Sequence, residues 1–431
     1  MKNFRWWPAI GMVAAALALA LSGCGGGGDD SSSNASLRIA NATLTHPSLD
    51  LLINGTSAST ATATDTVGAY TSPSSGSVTL QLNDNGGATA LSTTVPTLTG
   101  GNHYTMVAYE SGGAVKTAIL NEDNATPAAG TAQLRVYNAA LDAGKIDVYI
   151  TAPTVDLATV ATPTATFSTT TANSSTALLT YSPGTYRVRV TKAGDKSDLR
   201  ADIPSVVVAT QQIATVILTP AAGGALINGS TLLQQGAYTP ARNTNARVRL
   251  AAAVSGGATV AAFASNGTVI DAGSVAPAFG YAYVLVPAAS TLSVTVNGAA
   301  VTAPAGTLKA GADSTLLVYG DPGSATAKLL DDDNRLPSDA TTTKLRLING
   351  VTGSAGTLTL TANTAPIGAG IAPGAASGYV SVAGSTNAMI LKLSSSTNGA
   401  FPADATNVLS PNAVYTVLAG GPISAPQLLI R

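Results

Sequence analysis

Apolar and polar positions alternate along much of the chain. Tyr186-Arg187-Val188-Arg189-Val190-Thr191, Ser77-Val78-Thr79-Leu80-Gln81-Leu82 and Leu292-Ser293-Val294-Thr295-Val296 each put apolar side chains on one side of an extended segment. A period of two predicts half-buried strands. Turn residues punctuate these segments, at Asp84-Asn85-Gly86-Gly87, Ser182-Pro183-Gly184, Asn297-Gly298 and Ala372-Pro373-Gly374. Helical stripes with caps are missing from the pattern. Two stretches rich in Ser, Thr and Ala, 56–66 and 158–176, are expected as long hydrophilic loops, with hydroxyls of the kind that O-glycosylation uses. The fold class expected is all-β.

The pattern also repeats. A strand-like segment around an Arg occurs four times, as Leu37-Arg38-Ile39, Leu134-Arg135-Val136, Val248-Arg249-Leu250 and Leu345-Arg346-Leu347, at Arg-to-Arg spacings of 97, 114 and 97. A later segment carries a Thr: Thr105, Thr215, Thr315 and Thr416. The first three precede the next Arg by 30, 34 and 31 positions. Two landmarks in constant order define four units. Short strands with turns at this spacing predict immunoglobulin-like β-sandwiches. The expected organisation is a leader at 1–23, a tether at 24–35, and sandwich repeats at 36–128, 131–243, 245–340 and 343–431.

Composition narrows the function classes. Charged residues are 10% of the 431 and the formal net charge is −1, which excludes a basic nucleic-acid footprint and charge-driven disorder. The amino terminus changes the picture. Lys2 and Arg5 precede an uncharged run, Ile10–Leu21, with the length of a signal-peptide core and too short to span a bilayer. Leu21-Ser22-Gly23-Cys24 follows and resembles the bacterial lipobox. The resemblance implies lipidation of Cys24. Gly25–Asn34 reads as a flexible tether, and Gly25 rather than Asp after the Cys resembles the outer-membrane class. Loss of 1–23 removes both tryptophans, Trp6 and Trp7, and leaves 19 basic against 22 acidic side chains. Cys24 is the single cysteine, so each core must be aliphatic and unstapled.

Three features together resemble a bacterial family known as a domain of unknown function, found as tandem sandwich-like repeats in secreted and lipid-anchored proteins. They are the Arg strand, the Asp147-Val148-Tyr149-Ile150 segment after Arg135, and the acidic tail that closes a unit. Arg38, Asn41 and Asp50 keep the offsets of Arg135, Asn138 and Asp147. Unit three has Ala252 and Ala261 at the last two offsets, and unit four has Asn349 and Leu358. The resemblance extends over 36–431 and implies no catalytic residues.

Catalytic motifs are missing. The two histidines, His46 and His103, both fall in unit one, and a hydrolase would have to use them or a carboxylate pair converging in space. The expectation is a protein that is not an enzyme and needs no cofactor. Calcium is the ion that the acidic junctions could hold. Glu122, Asp123 and Asn124, and Asp331, Asp332, Asp333 and Asn334, offer oxygens at the unit junctions. Unit two ends instead in Gln234-Gln235. Tyr281 with Tyr283, and Tyr137 with Arg135, alternate along strands and are candidates for a sugar platform. The expected function is a lipid-anchored cell-envelope structural or interaction protein, a spacer or adhesion rod. Its partners would be the membrane and an envelope protein or glycan, and no nucleic acid. Its place would be the outer membrane, on either face. The alternative is a ligand- or glycan-binding surface lipoprotein.

Overall fold

The computed structural model describes residues 33–168, 174–353, 356–397, 399–401 and 405–431. The leader, Cys24 and most of the tether lie outside them. The described chain is strands and turns with three single-turn 3-10 helices. Among the described residues, no helix is long and apolar enough to cross a membrane.

Each unit is a sandwich of two sheets. In unit one, the opening strand Ser36–Asn41 lies parallel to His103–Ser111, which pairs antiparallel with Ala114–Asn121. The facing sheet runs Thr56–Ala63, Ser48–Ile53, Leu80–Asp84, Ala90–Thr94. The same arrangement returns three times. Ala132–Asn138 lies parallel to Ile213–Pro220, Asn245–Val254 to Asp313–Gly320, and Thr342–Thr352 to Ala413–Pro422. This parallel pair sits in the middle of its sheet, flanked on both sides by antiparallel strands. The cores are aliphatic, as the composition requires: Leu37, Ile39, Leu49, Leu51, Leu80, Leu82 and Met106 fill unit one.

The stretch expected as a loop at 56–66 is instead largely strand, Thr56–Ala63. Its β-branched threonines suit a pleat, and it is an outer strand with most side chains in solvent. The Asn54-Gly55 turn that starts it has φ of 50° and 79°, the left-handed pair of a tight hairpin. Asp50 steadies its bulge by accepting from Ala61 N at 2.8 Å. Of the second stretch, Ala165–Phe167 and Ser174–Ser175 are strand, and 169–173 lie outside the described residues.

The two sheets of a unit differ in burial. In units one, three and four the second sheet alternates buried with half-buried side chains, as at Ser48–Leu51, Val260–Ala264 and Leu358–Ala362. The first sheet does not. Asn245–Val254 and Ile213–Pro220 are buried almost throughout, as expected of strands covered on both faces. What covers the outer face is another unit. Ala40, Ala42, Val107, Tyr109, Ala118 and Leu120 of unit one form one cluster with Tyr137, Ala139, Ile217 and Leu232 of unit two. Ala251, Ala253, Phe279, Leu317 and Leu330 of unit three do the same with Ile348 and Leu418 of unit four. The units therefore stand face to face in two pairs. This departs from a rod of units meeting only end to end. Sealing each large side chain is worth about 1.5–3 kcal/mol, so a solvated outer face would waste that contribution.

Candidate functional site

The landmark Arg and Thr are cross-strand partners. The parallel register sets Arg38 opposite Thr105, Arg135 opposite Thr215, Arg249 opposite Thr315 and Arg346 opposite Thr416. In each case the Arg Nε donates to the Thr Oγ1, at 2.9, 2.9, 3.1 and 3.2 Å respectively. Period two puts these four arginines on the outer faces, inside the pair interfaces. A buried guanidinium needs acceptors or a counter-charge, and the acidic tails supply them.

In the first pair, Glu122 takes both bonds of Arg38 Nη2 at 3.0 Å. It also accepts from Thr105 Oγ1 at 2.5 Å, from the Tyr70 hydroxyl, and from Gln235 N at 3.1 Å in unit two. In the second pair, Asp332 accepts from Thr315 Oγ1 at 2.7 Å and the Tyr283 hydroxyl at 2.5 Å. It reaches across to Arg346 of unit four, and Arg249 lies 3.6 Å away. Arg249 Nη2 donates in turn to Thr416 Oγ1 at 3.0 Å. Burial, then the Asp332 carboxylate, push the Tyr283 phenol well above its usual range. Burial and the hydrogen bond to Glu122 push Tyr70 up in the same way. Both tyrosines therefore stay protonated donors at neutral pH.

The remaining acidic residues go elsewhere. Asp123 accepts from Gln235 Nε2 at 2.9 Å and sits 3.1 Å from His103 Nδ1. Asn124 exchanges bonds with Gln234, at 2.8 Å from its amide and 2.9 Å to its carbonyl. Asp331 pairs with Lys309 at 2.5 Å, and Asp333 with Arg335 at 2.7 Å and Lys344 at 2.8 Å. Asn334 Nδ2 donates to Asp313 at 2.7 Å. Neighbouring carboxylates on one chain segment thus turn to different cations, and the candidate calcium ligands do not converge on a point. Among the described residues, no group of three His, Cys, Asp or Glu is placed to hold a metal ion. His46 Nδ1 lies 2.7 Å from Asp84.

The other offsets also have local roles. Asn41, Asn138 and Asn349 each accept from the backbone N–H two residues on. In units one and two this Asx turn ends the opening strand, whereas in unit four the strand runs on to Thr352. Asp50 and Asp147 each bind a backbone N–H of a flanking turn, Gly86 and Gly194, at 2.9 and 2.8 Å. In unit four, the residue that occupies this register is Thr359, opposite Ser394. Leu358 points into the core. The residue at this register therefore follows its Arg by thirteen positions in unit four, against twelve in units one and two.

Two parts of the arrangement escaped the sequence reading. The first is the tyrosine that covers each clasp. Tyr70, Tyr283 and Tyr379 follow their Arg by 32, 34 and 33 positions, a spacing that would have found them. Their rings lie 4.7, 4.6 and 4.8 Å from the guanidinium carbons of Arg38, Arg249 and Arg346. The second is a polar network that joins the pairs. Arg247 forks onto Asp313 with two bonds of 2.8 Å and reaches Asp198 at 3.2 Å. Arg200 forks onto the same Asp198 at 2.7 and 2.8 Å. Beside this network, units two, three and four enclose an open cleft of about 630 Å³.

Fold and clasps define a protein of tandem β-sandwich repeats clamped in pairs. Residues 35–149 match the model of a family described as Domain of unknown function (DUF4397). That span holds Arg38, Asp50, Thr105 and Glu122 of unit one, and in unit two the strand Ala132–Asn138 and the start of Ile146–Thr151. No curated protein matches the chain. Among solved structures, the chain is similar to "The Bacillus anthracis TIE protein", at 10% identity over 92% of this chain and 68% of that one, with a TM-score of 0.14. It is also similar to "Product complex of a multi-modular glycogen-degrading pneumococcal virulence factor SpuA", at 9% identity over 85% and 37%, with a TM-score of 0.15.

Proposed function

We propose that this chain is a lipid-anchored cell-envelope interaction protein whose tether carries a block of paired sandwiches at the outer membrane. The reading joins two supports. Cys24, in its lipobox-like setting with a Gly-rich segment behind it, supplies an anchor and a leash. The observation that carries the rest is the burial of Glu122 and Asp332 between units, with side-chain exposures of 2% and 0%. Units clamped at this depth move as a block, which suits presenting a surface at a fixed distance from the membrane. No catalysis is assigned to it.

The test is fractionation with protease shaving. Cys24→Ser should move the protein from the membrane pellet to the soluble fraction, and unchanged partition would overturn the anchor. Digestion on intact cells, with a periplasmic marker spared, would place the block outside. Protection until the outer membrane is opened would place it in the periplasm and remove adhesion from the reading. A second reading, a glycan-binding surface lipoprotein, is favoured by the cleft and by Tyr281 at its edge, 81% exposed.

A further inference from the structure

We infer that the cleft between units two, three and four is a carbohydrate site with Tyr281 as its stacking platform, an inference that rests on the glycan-binding reading above. The chain keeps its aromatic rings covered. Among the described residues, Tyr281 is the only aromatic residue that stands largely in solvent. It lies two positions before the clasp residue Tyr283, where units one and four carry Gly68 and Ser377. Unit three thus holds a ring that those two units lack, and holds it at a cleft.

The ring is also braced. Arg431 places its guanidinium 3.5 Å from the Tyr281 centroid and donates to Phe279 O at 3.1 Å. One face is thereby occupied. With the ring 81% exposed, the other face is open. An aromatic face fixed in orientation costs little entropy when the C–H face of a sugar stacks on it.

The rest of the lining selects the ligand class. Lys192, Arg200, Asp195, Ser197 and Asp198 share the cleft with Tyr281. A phosphate or carboxylate would meet Asp195 and Asp198. A metal cation would meet Lys192 and Arg200. A sugar hydroxyl both donates and accepts, so a wall of interleaved donors and acceptors suits a neutral polyol. Asp198 is fixed by its fork to Arg200, and Asp195 by Ser197, whose N and Oγ lie 3.0 and 2.5 Å from Asp195 Oδ1. At about 630 Å³ the cleft accepts a short oligosaccharide.

The experiment is calorimetric titration of the full chain in detergent with cellohexaose, maltohexaose, chitohexaose and mannohexaose, and with polygalacturonate as the anionic comparison. At least one neutral hexaose should bind in the millimolar range or tighter, and Tyr281→Ala should weaken it by about tenfold or more. Tyr281 is on the surface, so an unchanged melting temperature certifies the fold of the variant. Equal binding by Tyr281→Ala would overturn the cleft assignment and leave the glycan reading standing. Failure of every neutral hexaose would overturn both. Binding of polygalacturonate alone, abolished by salt, would overturn the neutral-sugar assignment.

Discussion

The two pair interfaces are built on one plan and filled differently. Each has two arginines bonded to threonines across a parallel register, one buried carboxylate from the tail of its first unit, and a tyrosine over it. In the first pair, Glu122 serves Arg38 of its own unit, and the second unit reaches it through a backbone N–H. Arg135 finds a carbonyl, Asn121 O at 3.2 Å. In the second pair, Asp332 is itself the bridge, bonded to Arg346 of the neighbour and near Arg249. Packing differs to match. Tyr109 and Tyr137 fill the first interface. In the second, Gly350 lies so close to unit three that an added Cβ would come within 2.4 Å of the Ala253 Cβ. A carboxylate one methylene shorter goes with sheets that approach more closely. The comparison teaches that pairing is the constant, and that the tail residue and the small residues opposite it adjust together.

The largest expected effect follows from the bridge. Asp332→Ala would leave two buried guanidinium groups without their shared carboxylate, with only neutral acceptors on Thr315, Thr416 and Asp331 O, and removing one partner of a buried pair costs about 3–5 kcal/mol. The loss should appear as early unfolding of units three and four in urea, with their strands losing hydrogen-exchange protection first. Glu122→Ala leaves Arg38 with Thr105 and with Gly236 O at 2.8 Å, so its cost should be smaller and confined to units one and two. Equal costs would break the distinction between a bridge and a clasp within one unit.

The next effect tests the packing. Gly350→Ala forces two Cβ atoms together and should destabilise units three and four by about 1–3 kcal/mol. The same step is already present in the first pair, where Ala42 and Ala139 hold the equivalent positions and share a cluster. The sharper form is the cycle with Ala253→Gly, which removes the clashing atom. The double variant should recover most of the loss, giving a coupling energy that distant residues do not show. Additive behaviour would mean that Gly350 is needed for its own backbone and not for the approach of unit three.

Much of this was legible in the sequence, and the parts that were not share a cause. The Arg and Thr landmarks were visible because strand pairing fixes them in every unit, but their constant order gave the number of units and not the pairing of Arg with Thr. Alternation in Leu292–Val296 was readable because that strand is less covered on one side, and in Tyr186–Thr191 because its outward positions carry polar Arg187, Arg189 and Thr191, although Arg189 and Thr191 are buried. The opening strands carry little alternation because both faces are covered. The face-to-face pairs were therefore hidden in the very runs that announce them, such as Ala251-Ala252-Ala253. The acidic tails were found as candidates, but their chemistry was not. Consecutive residues diverge, and only the fold shows Glu122 and Asp332 turning inward to arginines while Asp123 and Asp331 turn outward. Gln234-Gln235 looked like a degenerate tail. It is the amide-bearing complement of Glu122, Asp123 and Asn124 across the interface.

The smallest effect is one of pH, and it separates the two fillings by their tyrosines. Burial, then the Asp142 carboxylate, push the Tyr109 phenol in the first interface up to about 12. In the second, burial leads and the net result for Tyr379 is also about 12, with Arg346 opposing and Asp332 adding to the rise. A group whose folded value is raised contributes stability that is fully present below its unfolded value and lost as pH rises through the folded one. Unfolded tyrosines release protons near 10.0, so both pairs should hold their full stability up to that pH and lose it progressively between 10 and 12. A chain beginning at Cys24 has no tryptophan, so tyrosinate absorbance is free of indole overlap, and the difference between the parent and each Tyr→Phe variant isolates one ring among the 13 tyrosines. Tyr109→Phe should blunt the alkaline loss in the first pair alone, and Tyr379→Phe in the second alone. Tyr379 also sits 3.2 Å from Thr416 through its hydroxyl, so its replacement should lower neutral-pH stability by about 0.5–1.5 kcal/mol as well. Tyrosinate appearing in full near pH 10 in the folded protein would show that these rings are not held between the sheets, and the two interfaces would then differ less than their packing indicates.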